Sequence, residues 1–210
     1  KWAIGDRYFA SVLSQTFPNR FFLLAGTSFG HIANDLPTSP TEFSQPSIFE
    51  LLDAANISWK VYYSDDICAT TPPEDSQPGS TGAITPSATS TNAGACTYLT
   101  QFAPYAPPNA LPDNVVPVSQ YLSDVQAGTL PSVAFIETGF LSHRDEHPSS
   151  GTNVQVGAAY AASLMNALMS SPSWKDSVFI LTHDEAGGLY DHVAPVPAVN
   201  PDGIAPIDLQ

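Results

Sequence analysis

The chain has 210 residues, enough for one sizeable domain with its own hydrophobic core. Its 20 Asp and Glu residues outnumber its 6 Lys and Arg residues, so the formal charge at pH 7 is −14. Because that charge repels phosphate backbones and anionic lipids, it argues against nucleic acid and acidic membrane surfaces as electrostatic partners. No run of about 18 apolar residues occurs, so the sequence predicts no transmembrane segment.

The first two predicted elements are a helix and a strand. Apolar side chains recur at helical spacing in residues 4–14, which predicts a helix with one buried face. Residues 21–25 are wholly apolar and predict a strand, which leads into glycines and hydroxyl side chains at residues 26–31. A nucleophile that attacks phosphorus would lie at such a strand end, so Thr27 or Ser28 is a candidate. The alternative is an ordinary Ser or Thr cap.

A short helix and a second strand follow. Ser47 and Glu50 have the spacing of a capping box, which predicts the start of a helix. Residues 58–63 are rich in aromatic and β-branched side chains, and their alternation predicts a strand.

Residues 65 to about 116 differ in composition from the rest of the chain. Thr, Pro, Ser, Gly and Asn prevail there without a sustained period, so we interpret the stretch as a long insertion that could fold over a site as a lid. Cys68 and Cys96 flank its polar part and could form a disulfide, the alternative being two free thiols. Charged residues are only 12% of the chain. This low share, with the abundance of Pro, Ser, Thr and Gly, favours a secreted or extracytoplasmic protein.

Helix and strand signals alternate through the second half of the chain. Ser119 predicts the start of a helix that Gly128 ends, and residues 153–170 predict another helix. Residues 132–136 predict a strand, and the apolar run at residues 178–181 predicts a strand buried on both faces. This alternation predicts an α/β fold with a mainly parallel sheet flanked by helices.

Polar clusters around Thr27, His147 and Asp184 each follow a predicted strand. Because the carboxyl ends of parallel strands meet at one edge of a sheet, we expect the three clusters to converge on one site.

The densest cluster directly follows residues 178–181. His183, Asp184 and Glu185 come first, and Asp191 and His192 lie a few residues beyond. Carboxylates and neutral imidazoles are ligands for divalent cations, so the cluster is a candidate metal site. The alternative is a polar turn whose charges are solvated.

Three motifs, in chain order, carry a family resemblance. They are Phe-Pro-Asn-Arg at residues 17–20 leading into Ala-Gly-Thr-Ser-Phe-Gly at residues 25–30, Asp-Glu-His-Pro at residues 145–148, and Thr-His-Asp-Glu-Ala-Gly-Gly-Leu-Tyr-Asp-His-Val at residues 182–193. Together they resemble the phosphoesterase family of non-specific phospholipases C and acid phosphatases, within the alkaline-phosphatase-like superfamily.

The resemblance implies a three-layer α/β/α fold in a single, partial catalytic domain over residues 1–210, truncated at both ends. It implies that Thr27 is the nucleophile, that His147 contacts the phosphate or the leaving group, and that Asp184 and Glu185 bind a divalent metal ion whose identity the sequence leaves open. Further candidate site residues are Ser28, His31, Asp145, His183, Asp191 and His192.

The function implied by the resemblance is hydrolysis of a phospholipid or a small phosphate ester. Phospholipase C-type cleavage through a Thr phospho-enzyme, with metal assistance, is the leading hypothesis. The alternatives are an acid phosphatase and a truncated, non-catalytic binding module. The family's upstream Glu-Asn metal-binding pair has no counterpart in this sequence, so we expect the chain alone to be weakly active or inactive.

Overall fold

The computed structural model of the protein describes residues 7–35, 43, 45–65, 97–148, 153–188 and 193–208. The chain divides into two compact units. We call residues 1–35 and 181–210 the terminal unit, and residues 36–180 the central unit. Four helices and three strands occur in the described residues: α1 Thr16–Ala25, α2 Ile48–Ala54, β1 Trp59–Tyr63, β2 Val115–Pro117, α3 Val118–Ala127, β3 Val133–Ile136 and α4 Val154–Met169.

The central unit contains a small parallel sheet. Its strand order is β2-β1-β3, and β1 pairs in parallel with both neighbours. Val61, in the middle of β1, is in register with Val115 on one side and Phe135 on the other. The predicted strands at residues 58–63 and 132–136 are therefore confirmed, as is the parallel α/β architecture.

Helices contact both faces of the central strand. The Phe49 ring of α2 lies 4.6 Å from the ring of Trp59. Tyr62 contacts the ring of Tyr121 in α3 at 5.4 Å. Since alternate residues of a strand point to opposite faces, Trp59 and Tyr62 bury opposite faces of β1.

The predicted helices in the central unit are confirmed, but α3 begins at Val118 after Pro117, so the prediction that Ser119 caps it is wrong. Ser47 and Glu50 form the capping box that begins α2, and the Ser47 N–H donates to Glu50 Oε2 at 2.8 Å. Gly128, with φ of 69°, ends α3. The Asn153 side chain accepts from the Gln155 N–H and caps α4.

A buried carboxylate links the sheet to α3. Asp124 accepts hydrogen bonds from Lys60 Nζ at 2.6 Å, Tyr62 Oη at 2.7 Å and Gln120 Nε2 at 2.9 Å. Burial alone would raise the pKa of Asp124, but these three donors outweigh it and lower the pKa below the ordinary value. Burial, together with the same carboxylate, raises the pKa of Tyr62.

The beginning of the terminal unit differs from prediction. Residues 7–14 form turns and bends, so the described part of the helix predicted at residues 4–14 is wrong. The predicted strand at residues 21–25 is also wrong, because these residues belong to α1. Phe17, Phe21 and Leu24 recur at helical spacing and bury one face. Pro18 is tolerated because it lies in the first turn.

Residues 178–181 do not join the sheet. They form no regular secondary structure, and no described residue pairs with their backbone. Val178 is 86% exposed and Ile180 is 78% exposed, whereas Phe179 packs against the core around Tyr62. The prediction of a strand buried on both faces is wrong, because an apolar run becomes a strand only where a neighbouring strand pairs with it.

The described end of the predicted insertion packs into the central unit. Leu99 and Phe102 are fully buried, and the Phe102 ring lies 5.9 Å from that of Phe43. The insertion was predicted without strands up to about residue 116, but β2 begins at Val115. Residues 97–116 thus contribute to the core of the central unit, and the lid over a site stays a prediction.

Two further predictions concern the pair of cysteines and membrane-spanning segments. Cys68 and Cys96 lie outside the described residues, so their disulfide stays a prediction. None of the described helices is long and apolar enough to cross a membrane.

Candidate functional site

The loop that follows α1 buries two hydroxyl side chains. Thr27 is 5% exposed and Ser28 is 3% exposed. The Thr27 hydroxyl donates to the Asp202 carboxylate, and the Phe29 N–H donates to Thr27 Oγ1 at 2.9 Å. Thr27 therefore lies between a proton acceptor and a fixed N–H donor, although it follows a helix and not the strand end that we expected.

A glycine allows the segment at residues 202–208 to contact this loop closely. Gly30 has φ of 87°, and a Cβ atom there would lie 2.7 Å from the Ala205 carbonyl oxygen. The Ile207 N–H donates to the Gly30 carbonyl oxygen at 3.0 Å. Because a side chain at residue 30 would separate the two segments, the glycine helps to bring Asp202 to Thr27.

Two buried asparagines hold the loop and the start of α1 in place. Asn19 accepts from the Val12 N–H at 2.8 Å and donates to the carbonyl oxygens of Val12, Ser14 and Gln15. Asn34 accepts from the Phe17 N–H at 3.0 Å. These bonds satisfy backbone groups on both sides of the helix start, where an α-helix leaves N–H groups unpaired.

A second cluster forms around His31. His31 Nδ1 lies 3.4 Å from Asp35 Oδ1 and 3.7 Å from Asp208 Oδ2. One ligand atom from each residue falls within 4.8 Å of the others, and no other group of three His, Cys, Asp or Glu side chains does so in the described part of the chain. A cluster of this composition has the donor types of a divalent-cation site.

The predicted metal pair has other partners in the structure. Arg20 of α1 donates through Nε to Asp184 Oδ2 at 2.9 Å. The Glu185 carboxylate accepts from the Gly187 N–H. Asp184 and His183 also line a small cleft of about 90 Å³. The pair is thus held in place, with a positive charge beside Asp184, and metal binding by it stays a prediction.

His147 and Asp145 belong to the central unit. The His147 backbone N–H donates to Asp145 Oδ2 at 2.8 Å, and the imidazole and the Phe140 ring pack nearly perpendicular to each other with centroids 5.5 Å apart. Asp145 is 6% exposed, and its Oδ1 accepts no hydrogen bond from a described residue. Gly157 allows α4 to pack closely against the backbone of Asp145, because a Cβ at residue 157 would lie 2.1 Å from the Asp145 carbonyl oxygen. Convergence of these residues with Thr27 stays a prediction, and Asp191 and His192 lie outside the described residues.

Four residues around the site were missed by sequence reasoning: Arg20, Asp35, Asp202 and Asp208. The sequence does indicate a turn at Asp202, because residues 200–203 are Asn-Pro-Asp-Gly, a typical turn sequence. Asn200 Oδ1 accepts from the N–H groups of Asp202 and Gly203, so the turn presents the Asp202 side chain. Asp208 lacks any such local pattern.

Comparison with known proteins gives one consistent family. The model of the Phosphoesterase family matches residues 1–209. Non-specific phospholipase C4 and non-specific phospholipase C5 of Arabidopsis thaliana are 35% and 34% identical to 97% of this chain. Phospholipase C B of Mycobacterium tuberculosis is 29% identical over 92% of it. The aligned region is 33%, 34% and 35% of these three relatives, so the chain spans about a third of their length.

Proposed function

The chain belongs to the Phosphoesterase family, and on that premise we propose that it hydrolyses phosphate esters, with phospholipase C-type cleavage of a phosphodiester as its leading activity. The relatives named phospholipase C support this choice of substrate class. The observation that carries the proposal is the buried Thr27 hydroxyl, which donates a hydrogen bond to the Asp202 carboxylate.

The proposed reaction begins at that hydrogen bond. A threonine hydroxyl is a weak nucleophile unless a base removes its proton, and the Asp202 carboxylate is positioned to do so. Thr27 Oγ1 then attacks phosphorus, the bond from phosphorus to the ester oxygen breaks, and the departing alcohol takes up a proton. Water afterwards hydrolyses the Thr27 phosphoester and releases phosphate or a phosphomonoester. The family resemblance also implies that His147 contacts the phosphate or the leaving group, and this role is a separate prediction.

We propose that Asp184 and Glu185 hold a divalent cation of unspecified identity. Carboxylate oxygens suit such an ion. Arg20 is paired with Asp184 Oδ2, so cation binding requires that the guanidinium moves or that the other carboxylate oxygens ligate the ion. When bound, the cation would offset negative charge on the phosphoryl oxygens. In a chain with a formal charge of −14, few basic side chains are available for that purpose.

An acid phosphatase activity is the second candidate. The cleft beside Asp184 measures about 90 Å³. Its lining includes His183 and Asp184 but not Thr27, so the cleft does not select between a phosphomonoester and a lipid.

We extend the proposal to fold and location. Contacts of α2 and α3 with opposite faces of β1 support a three-layer α/β/α arrangement in the whole protein. The low share of charged residues supports a secreted or extracytoplasmic protein.

Activity assays on protein expressed from its full reading frame test the mechanism. Phosphatidylcholine serves as the diester and p-nitrophenyl phosphate as the monoester, each with and without divalent cations. We expect Thr27→Ala to lower kcat at least ~10³-fold and Asp202→Asn to lower it ~10²-fold. Exposed residues provide the matched controls, Thr129→Ala and Asp113→Asn, which should leave kcat unchanged.

Each outcome separates the candidates. A phosphoryl group trapped on wild-type protein and absent from Thr27→Ala, detected by mass spectrometry, supports the phospho-enzyme. Undiminished turnover by Thr27→Ala would contradict it. Hydrolysis of the monoester alone would favour the phosphatase, and a protein inert toward both substrates with every cation would favour the binding module.

A further inference from the structure

We propose that His31, Asp35 and Asp208 form a divalent-cation site, made of different side chains from the Asp184 and Glu185 pair. The family motifs contain neither Asp35 nor Asp208, although His31 directly follows the first motif. The cation would clamp the loop after α1 to the segment at residues 202–208. The site goes beyond the proposed function, and it can be tested without any measurement of turnover.

The separations within the cluster suit ligands of one ion. His31 Nδ1 lies 3.4 Å from Asp35 Oδ1 and 3.7 Å from Asp208 Oδ2. In a tetrahedral site with metal–ligand distances of 2.0–2.2 Å, neighbouring ligand atoms lie about 3.3–3.6 Å apart. The observed distances are longer than a normal N–H···O hydrogen bond and close to those of a coordination shell.

The backbone holds one of the carboxylates in a fixed orientation. Asp208 Oδ1 accepts from the Ile32 N–H at 2.8 Å, and Asp208 Oδ2 accepts from the Ala33 N–H at 2.9 Å. Carboxylates that ligate metals are oriented by such hydrogen bonds to other groups, which fix the ligand before the ion arrives. Asp208 is therefore pre-positioned beside His31.

A separate observation concerns the other carboxylate. The Asp35 side chain is 38% exposed, but its Oδ1, the atom that faces His31, is shielded from solvent and accepts no hydrogen bond from a described residue. A buried carboxylate oxygen is unfavourable unless a donor, a cationic group or a metal ion compensates it. A cation between Asp35, His31 and Asp208 would supply that compensation to both carboxylates at once.

The donor set favours a transition-metal ion of the Zn²⁺ or Mn²⁺ type. One imidazole nitrogen and two carboxylate oxygens suit these ions, whereas Ca²⁺ prefers six to eight oxygen ligands. Three protein ligands leave at least one coordination position for water. His31 lies four residues after Thr27, and Asp208 lies six residues after Asp202. An ion there would therefore fix the two segments that carry the Thr27–Asp202 hydrogen bond, a consequence that rests on the proposed function.

Metal binding by chelator-treated protein tests the site directly. The probe is Co²⁺, followed by visible absorption, with Zn²⁺ stoichiometry from equilibrium dialysis. We expect Asp35→Asn, Asp208→Asn and His31→Gln each to weaken binding by at least ~10-fold and to remove one equivalent of metal. The exposed residues His143 and Asp113 provide matched controls, His143→Gln and Asp113→Asn, which should bind as wild type.

Two further variants distinguish metal binding at the His31 site from metal binding at Asp184 and Glu185 and from loss of turnover. Asp184→Asn with Glu185→Gln should leave the Co²⁺ band of the His31 site in place, and Thr27→Ala should retain full stoichiometry even if it abolishes turnover. Wild-type stoichiometry and affinity in both Asp35→Asn and Asp208→Asn would overturn the site. So would His31 imidazole resonances that are unmoved by Zn²⁺, because they would show that the imidazole does not ligate the ion.

Discussion

Asp124 in the central unit and Asp202 in the terminal unit both accept a hydrogen bond from a side-chain hydroxyl, but their surroundings differ. Asp124 accepts from Tyr62, from Gln120 and from the cationic Lys60, and its pKa is lowered. Asp202 accepts from the Thr27 hydroxyl and the Ile204 N–H, and no described cationic side chain pairs with it. A carboxylate neutralised by a lysine is a weak base, whereas one without a cationic partner remains available to take a proton.

Because Asp124 is buried and paired with Lys60, we expect Asp124→Ala to lower the free energy of unfolding strongly. Removal of one member of a buried ion pair leaves the other charge uncompensated, at a cost of about 3–5 kcal/mol. Lys60 is partly exposed and can reach water, so we expect about 3 kcal/mol. Urea denaturation, followed by the fluorescence of Trp59 in the adjacent strand, measures this change.

The matched variants are Asp113→Ala, at an exposed position of the same unit, and Asp202→Ala in the terminal unit. We expect Asp113→Ala to change the free energy of unfolding by less than about 0.5 kcal/mol. Asp202→Ala should cost about 1 kcal/mol, because the buried Thr27 hydroxyl loses its acceptor. Because the folded-state pKa of Asp124 is lowered, its contribution is fully present above its ordinary pKa of 3.8 and is lost as the pH falls through the folded-state value. An Asp202→Ala loss as large as that of Asp124→Ala would remove the distinction between the two carboxylates.

Gly30→Ala tests the packing that brings Asp202 to its partner. The added Cβ would lie 2.7 Å from the Ala205 carbonyl oxygen, and the backbone has positive φ. We expect a cost of about 2 kcal/mol from left-handed strain and overpacking together. Hydrogen exchange at the Ile207 N–H, which donates to Gly30, reports the loss locally.

Gly26→Ala separates the cost of positive-φ backbone strain from the cost of a close atomic contact. Gly26 also has positive φ, of 70°, but a Cβ atom added there would meet no other atom within 4 Å. We therefore expect a cost of about 1 kcal/mol, with the Ile207 N–H still protected. Equal deprotection of Ile207 in the two variants would mean that residues 202–208 do not depend on the close approach at Gly30.

Local sequence signals predicted helix ends that are marked by capping residues. They failed where tertiary packing determines whether a segment is a helix or a strand. Ser47, Glu50 and Gly128 act within one turn of their helices, so the sequence shows their effect directly. The five apolar residues at 21–25 suit a helix or a strand equally well. The choice depends on Phe17 and Leu24, which bury the same face of α1 only if the helix begins before Pro18.

The candidate site was predictable in part for the same reason. Motif resemblance singled out Thr27, and the loop around it is contiguous in sequence. Its partner Asp202 is 175 residues away, and Asp208 is 176 residues from the Ile32 N–H that orients it. No periodicity or spacing rule joins residues that far apart, because the chain brings them together only when residues 202–208 contact the loop.

The smallest predicted effect concerns residues 178–181. Val61 is fully buried in β1, so Val61→Ala should cost about 2 kcal/mol through lost burial and the cavity left behind. Val178 is 86% exposed, so Val178→Ala should cost less than about 0.5 kcal/mol in the same urea titration. The two substitutions remove the same atoms, so the difference in their free energies of unfolding reflects the burial and strand packing of Val61. Equal costs would place Val178 in a paired, covered strand, as its apolar sequence predicts.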